Sequence, residues 1–365
     1  MGDWRDNLHA PDSVMTTQLA FDTPATSTAV SLRRLSGGIA ALAFGLTCVW
    51  STAALAEPVQ WTMTTEYPES NISGAGIATF TELVNRNTSG ALNITATYDA
   101  QNGVTSGKLI TAAMDGQVEG GDGLAGAIGS PASVFALPAL PFLTGSIDDA
   151  ARLNQLARPL YEAELRKRGM TLLYLTIWPA TGLWSKTPLA DSTSLSALSI
   201  RTYDPTSERV MRLAGMKATH LPLGEAVPLL QTGVLNAVLS SGDGGAGMKL
   251  WNTLPAFTAI DYAQPVSLAM IRTTALDALP PDVKDIVMDA ARQTERRQLA
   301  LLNTRTRENF ARMQAHGVTI DSPSPAVMEK LQSAGRVVEQ AWLEQAPRDA
   351  RKVLREYRST LPRVE

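Results

Sequence analysis

Between Leu198 and Trp251 the chain alternates strand-like and helix-like segments at so short a spacing that a layered α/β fold is the natural way to bury both. The stretch LSIRTYDPTSERVMRLAGMKATHLPLGEAVPLLQTGVLNAVLSSGDGGAGMKLW reads strand, helix, strand, helix, strand, then a glycine loop opening another helix. One residue breaks the apolar pattern of the first strand. Arg201 lies among Leu198, Ile200 and Tyr203, and a guanidinium keeps its proton in proteins. Near a core it calls for an anionic partner, either an Asp or Glu elsewhere in the fold or a bound ligand.

The same alternation runs upstream. VQWTMTT (59–65) reads as a strand, and Ser73 is the expected cap of a helix with Ile77, Phe80, Leu83 and Val84 on its apolar face. LNITATY (92–98) is the next strand and Ser106 to Met114 the next helix. A glycine-dense run (116–129) precedes the proline-punctuated ALPALPFL (136–143). Asp148 to Arg168 reads as a long amphipathic helix and MTLLYLTIW (170–178) as a strand, so the order predicts a parallel sheet covered by helices. The alternation restarts at LWSK (183–186), and FTAIDYAQPVSLAMI (257–271) is extended.

From Pro280 to Gly317 apolar residues keep helical spacing, and a helix that long suits the bracing of two lobes. VTI (318–320) and helices over 325–346 and 348–358 finish the chain. The expected architecture is α/β with two lobes and a cleft between them. One lobe takes residues 57–179 with about 266–300, the other 180–265 with about 301–365.

Composition narrows the function classes. With 365 residues, 44% hydrophobic and 18% charged, the chain suits a soluble protein of about two domains. A net charge of −3 with interspersed signs offers no basic face to nucleic acid or anionic membrane. Arg33-Arg34 precedes the apolar GGIAALAFGLTCVW (37–50), too short to span a bilayer comfortably, and Ala54 and Ala56 supply the small residues of a signal-peptidase site. The expectation is a secretory signal cleaved after Ala56 and a product free in the periplasm, with Sec or Tat export and the start codon left open. The single cysteine, Cys48, leaves with that segment, which excludes disulfides, a thiolate nucleophile and a Cys-ligated metal from the mature chain.

Two runs match the dinucleotide pattern GxGxxG, at 121–126 and 242–247. The second follows a predicted strand and opens a helix, with Asp261 at about the distance of a ribose partner, so a periplasmic dinucleotide-dependent oxidoreductase is the alternative reading. Against it, the run ends the third strand of its lobe, whereas such fingerprints open their domain. A glycine loop lining an α/β cleft is the preferred reading. His220 and His316 fit surface or helix-capping roles, and the nucleophile-elbow, HExxH and EF-hand patterns do not occur. No metal and no cofactor is expected. Trp178, Trp184 and Trp251 cluster near the lobe crossover and the glycine loop, where a stacking wall for a ligand is expected.

YPES (67–70), FTELVNRNTSGALNI (80–94), LPALPFL (137–143) and LSIRTYDPTSERVMRLAGMKATHLPLGEAVPLLQTGVLNAV (198–238) together resemble the solute-binding proteins of TRAP transporters, DctP type. The resemblance covers 57–365 and implies a periplasmic-binding-protein-like pair of lobes spanned by a long helix. It implies a small-molecule carboxylate as ligand, and delivery to the small and large membrane subunits of a TRAP permease. The family's arginine of the KxRxP-like strand, which bridges the ligand carboxylate, falls on Arg201. The family's VDGQEN is LNAVLS (235–240) here, so its asparagine contact becomes Ser240, and a second arginine is replaced in TGLWSK (181–186). That departure argues against sugar acids and C4-dicarboxylates as first choices and for a monocarboxylate with an apolar or aromatic body against Trp184 and Trp251. Tyr203, Ser241, Gly242 and Asp243 are expected around the ligand, with Glu66 or Asp122 facing an amine or hydroxyl. Aromatic 2-oxo acids, short hydroxy or dicarboxylic acids and zwitterions all stay open.

Overall fold

A computed structural model describes residues 57–189 and 191–361; the export signal read in 1–56 lies outside them. The chain runs β1 (Val59–Thr65), α1 (Ile72–Asn87), β2 (Leu92–Thr97), α2 (Leu109–Met114), β3 (Gly120–Leu124), α3 (Ala125–Ile128), α4 (Ile147–Arg166) and β4 (Met170–Ile177). It continues β5 (Thr181–Ser185), β6 (Ser199–Thr202), α5 (Pro205–Leu213), β7 (Lys217–His220), α6 (Leu223–Gln231), β8 (Ala237–Ser241), α7 (Gly242–Gly247) and β9 (Ala256–Thr258). The last part is β10 (Val266–Arg272), α8 (Thr273–Asp277), α9 (Pro281–Ala315), β11 (Thr319–Asp321), α10 (Pro325–Gln345) and α11 (Arg348–Ser359).

Two sheets result, one in the order β2-β1-β3-β10-β4 and one in the order β11-β9-β5-β8-β6-β7. Both are mixed rather than parallel as expected. β1 pairs with β2 and β3 in parallel, but β10 runs antiparallel to β3 and β4. In the second sheet β6 is parallel to β7 and β8, whereas β5 is antiparallel to β8 and β9. The reversed strands are the ones that enter a sheet directly from the other: β5 follows β4 and β10 follows β9 with no intervening helix to turn the chain back.

Strand β3 lies in the glycine-dense run, where no strand was expected. A Cβ on Gly120 would sit 2.1 Å from the Met270 carbonyl oxygen, and one on Gly121 2.2 Å from that of Thr64. Side chains are excluded by the neighbouring backbones, so the middle strand of this sheet is written in glycine. Helix α1 begins one residue before the expected cap. Its N-cap is Asn71, and Ser73 instead donates its hydroxyl to Asp122.

Helix α9 is a single 35-residue helix. Its early turns pack on α1 and β4 of the first lobe, and its later turns on α7 of the second. Glu295 of α9 accepts the Leu175 amide at 2.9 Å, covering the outer edge of β4. The closing helices divide between the lobes: α10 lies on α5, but α11 lies on α4 of the first lobe, not with the second as the sequence suggested. No helix among the described residues is long and apolar enough to cross a membrane.

Candidate ligand-binding site

Parallel strands release their side chains into the crevice at their carboxyl ends, and here the strand ends of both sheets converge. Tyr67 follows β1, Leu124 closes β3 and Trp178 follows β4. From the other sheet come Arg201 of β6, Tyr203 just beyond it, Ser240 and Ser241 at the end of β8, and Gly244 of α7. Thr181 and Pro265, beside the two crossing segments, and Leu223 complete the wall. About 330 Å³ of atom-free space lies between these residues, part of it open to solvent.

Among the described residues, Arg201 is the only charged side chain in this lining. It is 3% exposed, and its Nε donates to the Leu221 carbonyl at 2.7 Å and Nη1 to the Leu239 carbonyl at 3.4 Å. Among the described residues it forms no ion pair with a carboxylate, as Arg86, Arg158, Arg212, Arg272, Arg292, Arg305 and Arg358 do. Burial pushes its pKa down, against the opposing fields of Tyr67, Glu66, Tyr203 and Asp204, yet a guanidinium stays charged. Two backbone carbonyls orient the group and leave its full charge without a counter-ion. The arrangement suits a ligand carboxylate met by the remaining N–H bonds.

The other walls are neutral. Trp178 and Tyr67 pack with ring centroids 4.7 Å apart, and the Trp178 indole N–H donates to the Ser267 hydroxyl at 2.9 Å. The Ser240 hydroxyl makes no hydrogen bond to another described residue, whereas Ser241 Oγ accepts the Gly244 amide at 3.1 Å and caps α7. The Tyr203 hydroxyl is buried with no partner, and burial raises its pKa.

Several expected contacts lie elsewhere. Trp184 is fully buried in the second lobe, edge-on to Phe257, with its indole N–H on the Ser241 carbonyl at 3.3 Å. Trp251 stacks on His316 at 4.2 Å, away from the cavity lining. The aromatic wall is therefore Tyr67 with Trp178, and neither of the other two tryptophans lines the cavity. Glu66 is tied to Ser106, accepting its amide at 3.1 Å and its hydroxyl at 2.9 Å, and it faces an adjoining chamber beyond Tyr203. Asp122 is buried behind the lining, where desolvation raises its pKa to about 6 despite hydrogen bonds from Ser73 and Ser267.

The glycine run takes its meaning from α7, whose residues turn about 100° at each step. A Cβ on Gly242 would meet Phe310 of α9, one on Gly245 would sit 2.2 Å from the Trp184 ring, and one on Gly247 2.4 Å from Asn71. Gly244 alone of the four reaches the cavity. These glycines let a short helix pack tightly on three sides, so the run is a packing device and not a dinucleotide loop. Gly242 faces α9, and Asp243 is buried among Asn71, Ile72, Arg305 and Asn309. Asp261, the expected ribose partner, is exposed. The first run is β3 and α3, where Gly126 lies against the Asp204 carboxylate.

Tyr67, Leu124, Thr181, Leu223 and Pro265 were not expected in the site. The strand-end rule alone would have found Tyr67 and Leu124.

Comparison with known proteins agrees with this geometry. No curated protein matches the chain. Among solved structures, the Bordetella pertussis extracytoplasmic solute receptor DctP7, described as binding pyroglutamic acid, is 27% identical with a TM-score of 0.79, over 82% of this chain and 99% of that one. DctP6 of the same organism, also described as binding pyroglutamic acid, is 25% identical with a TM-score of 0.78, over 83% and 100%. A TRAP periplasmic solute-binding protein from Xanthobacter autotrophicus with bound β-D-galacturonate shares the fold at 15% identity and a TM-score of 0.76, over 83% and 100%. Residues 63–346 match the family described as bacterial extracellular solute-binding protein, family 7, so the chain belongs to this DctP family of TRAP transporter solute receptors.

Proposed function

We propose that this receptor captures a small monocarboxylate whose remaining polar groups are uncharged, a cyclic amide acid such as pyroglutamate, in the periplasm. It would then deliver the ligand to the small and large membrane subunits of a TRAP permease, after cleavage of an export signal at Ala56. Arg201 is the proposed carboxylate clamp, Ser240 and Ser241 supply hydrogen bonds, and Tyr67, Trp178 and Tyr203 enclose the body.

The observation that carries this reading is the single unpaired cation in an otherwise neutral cavity. A second carboxylate, as in a dicarboxylate, would meet no cation. The ammonium of an amino acid would meet no anion in the lining, because Glu66 is held by Ser106 and the buried Asp122 and Asp204 lie outside it. Burying either unpaired charge costs several kcal/mol. The two Bordetella relatives that bind pyroglutamic acid support the same class. The reading is of a binding protein without catalysis; an oxidoreductase loses its better motif because Gly242, Gly245 and Gly247 pack against Phe310, Trp184 and Asn71.

The test is a calorimetric and thermal-shift comparison of pyroglutamate, succinate, galacturonate and glutamate on the mature chain. Pyroglutamate is expected to stabilise it and to bind tightest. Tighter binding of glutamate or succinate would overturn the neutral-cavity argument.

A further inference from the structure

We infer that Asp243 is a positioning residue that latches the two lobes together over the ligand without touching the ligand. The inference rests on the receptor reading above. Asp243 is 1% exposed and belongs to α7 of the second lobe. Its Oδ2 accepts the backbone amide of Ile72 at 2.8 Å and the Asn71 side-chain amide at 3.1 Å, and its own carbonyl accepts the same Asn71 group at 2.6 Å. Asn71 and Ile72 open α1 of the first lobe. Its Oδ1 accepts Asn309 Nδ2 at 2.8 Å and the Arg305 Nε–H, both from α9, while Arg305 also donates to the Ser70 carbonyl.

A helix leaves its first amides without intrahelical partners, and its N-terminus favours a negative charge. Helix α1 has no capping bond from its own N-cap side chain, because the Asn71 amide is turned to Asp243. The cap is therefore supplied across the cleft, by a carboxylate from the opposite lobe. Arg305 and Asn309 hold that carboxylate in place from the spanning helix. When the lobes part, Asp243 loses Asn71 and Ile72, and α1 loses its cap, so this set of bonds belongs to the closed arrangement alone.

The latch and the ligand wall share one corner of backbone. Ser240, Ser241 and Gly244 line the cavity, and Asp243 between them points the other way. Bringing that corner onto a ligand bound against Tyr67 and Trp178 brings Asp243 onto α1. Gly247 matters for the same approach, since a side chain there would strike Asn71.

The test uses Asp243→Asn, Asn71→Ala and the double variant of the mature chain, with stopped-flow kinetics on whichever of pyroglutamate, succinate and galacturonate binds the wild type. Asp243→Asn keeps the shape but sets an N–H against the donors of Ile72 or Arg305. Dissociation is expected to quicken roughly 10- to 100-fold in each single variant, with association within about twofold. The double variant should dissociate no faster than the faster single one, because both lose the same contact. Ratios of affinity among ligands should not change, and the melting temperature of the ligand-free Asn71→Ala protein should stay at the wild-type value. Wild-type dissociation rates in both variants, or rate effects that multiply in the double, would overturn the latch while leaving the receptor standing. A ligand-free melting temperature that falls as far as the ligand-bound one would make Asp243 an ordinary fold-stabilising group and equally overturn it. Failure of the wild type to bind any of the three acids would instead overturn the receptor reading, and the latch with it.

Discussion

Arg201→Ala is the sharpest perturbation this site allows, because the side chain has separable roles in the empty and occupied protein. The group is a charge, 3% exposed, held by two carbonyls and, among the described residues, by no carboxylate. Its removal leaves the Leu221 and Leu239 carbonyls without that donor, which costs about 1–3 kcal/mol for a buried group. It also relieves the burial of a charge, a gain of the same order that works in the opposite direction. The ligand-free melting temperature should therefore move by no more than about 2 °C, equivalent to roughly 1 kcal/mol for a chain of this size.

Binding has no such compensation. Removing one partner of a buried, hydrogen-bonded charge pair costs about 2–5 kcal/mol, or roughly 30- to 5,000-fold in Kd. Arg201→Lys keeps the charge but loses the planar fork, so its Kd should fall between those of the wild type and Arg201→Ala. Calorimetry with pyroglutamate gives the Kd series, and calorimetric scanning of the ligand-free proteins gives the melting temperatures. Binding by Arg201→Ala within threefold of wild type would refute the carboxylate clamp. Loss of the ligand-free fold would refute the claim that the ligand, and not the protein, supplies the missing anion.

Two further outcomes follow from buried groups. Asp122 has a folded pKa of about 6 against 3.8 for the free side chain, raised by desolvation, so its protonated form is favoured by the fold. Its contribution is complete below about pH 4 and is lost as pH rises through 6, a change of roughly 3 kcal/mol from the two-unit shift. Asp122→Asn should flatten the melting temperature between pH 4 and 6, and an unaltered profile would remove Asp122 as its source. Gly245→Ala places a methyl 2.2 Å from the Trp184 ring and should destabilise the second lobe by at least 1–3 kcal/mol, whereas Gly224→Ala in α6 meets nothing within 4 Å and should be neutral or stabilising by about 0.5 kcal/mol. Denaturant midpoints of the two variants make the comparison, and equal midpoints would contradict the packing account of the glycine run.

The alternation of elements was legible because periods of 2 and 3.6 survive in most segments, and the 35-residue helix announced itself by length. What failed to show was direction and facing. Nothing in FTAIDYAQPVSLAMI says that β10 enters its sheet reversed; that follows from a crossing made without a helix. In β5, Thr181 faces the cavity while Trp184, three positions on, faces Phe257. Choosing the face of TGLWS needs the register with β8, which a single strand does not carry. Strand β3 was hidden for a different reason: glycine, which strand propensity counts against, is the residue that two close backbones demand. Arg201 was conspicuous since a charge amid apolar neighbours is rare, while Tyr67 looked like ordinary loop sequence.

The same two features set the logic of closure. Bringing the lobes together in the empty receptor buries Arg201 without an anion, which opposes closing by the cost of an uncompensated charge. The bonds of Asp243 to Asn71 and Ile72 favour closing whatever occupies the cavity. A ligand shifts such an equilibrium only by binding the two arrangements unequally, and a carboxylate does so by cancelling the term that opposes closure. A neutral analogue of the same shape would fill the cavity and leave the guanidinium unpaired, so it would occupy the open form without latching it. With pyroglutamate amide in place of the acid, small-angle scattering of the mature chain should therefore show no contraction at a concentration where the acid contracts it fully. A contraction as large with the amide would mean that shape alone closes the lobes, and that the unpaired charge of Arg201 has no part in the decision.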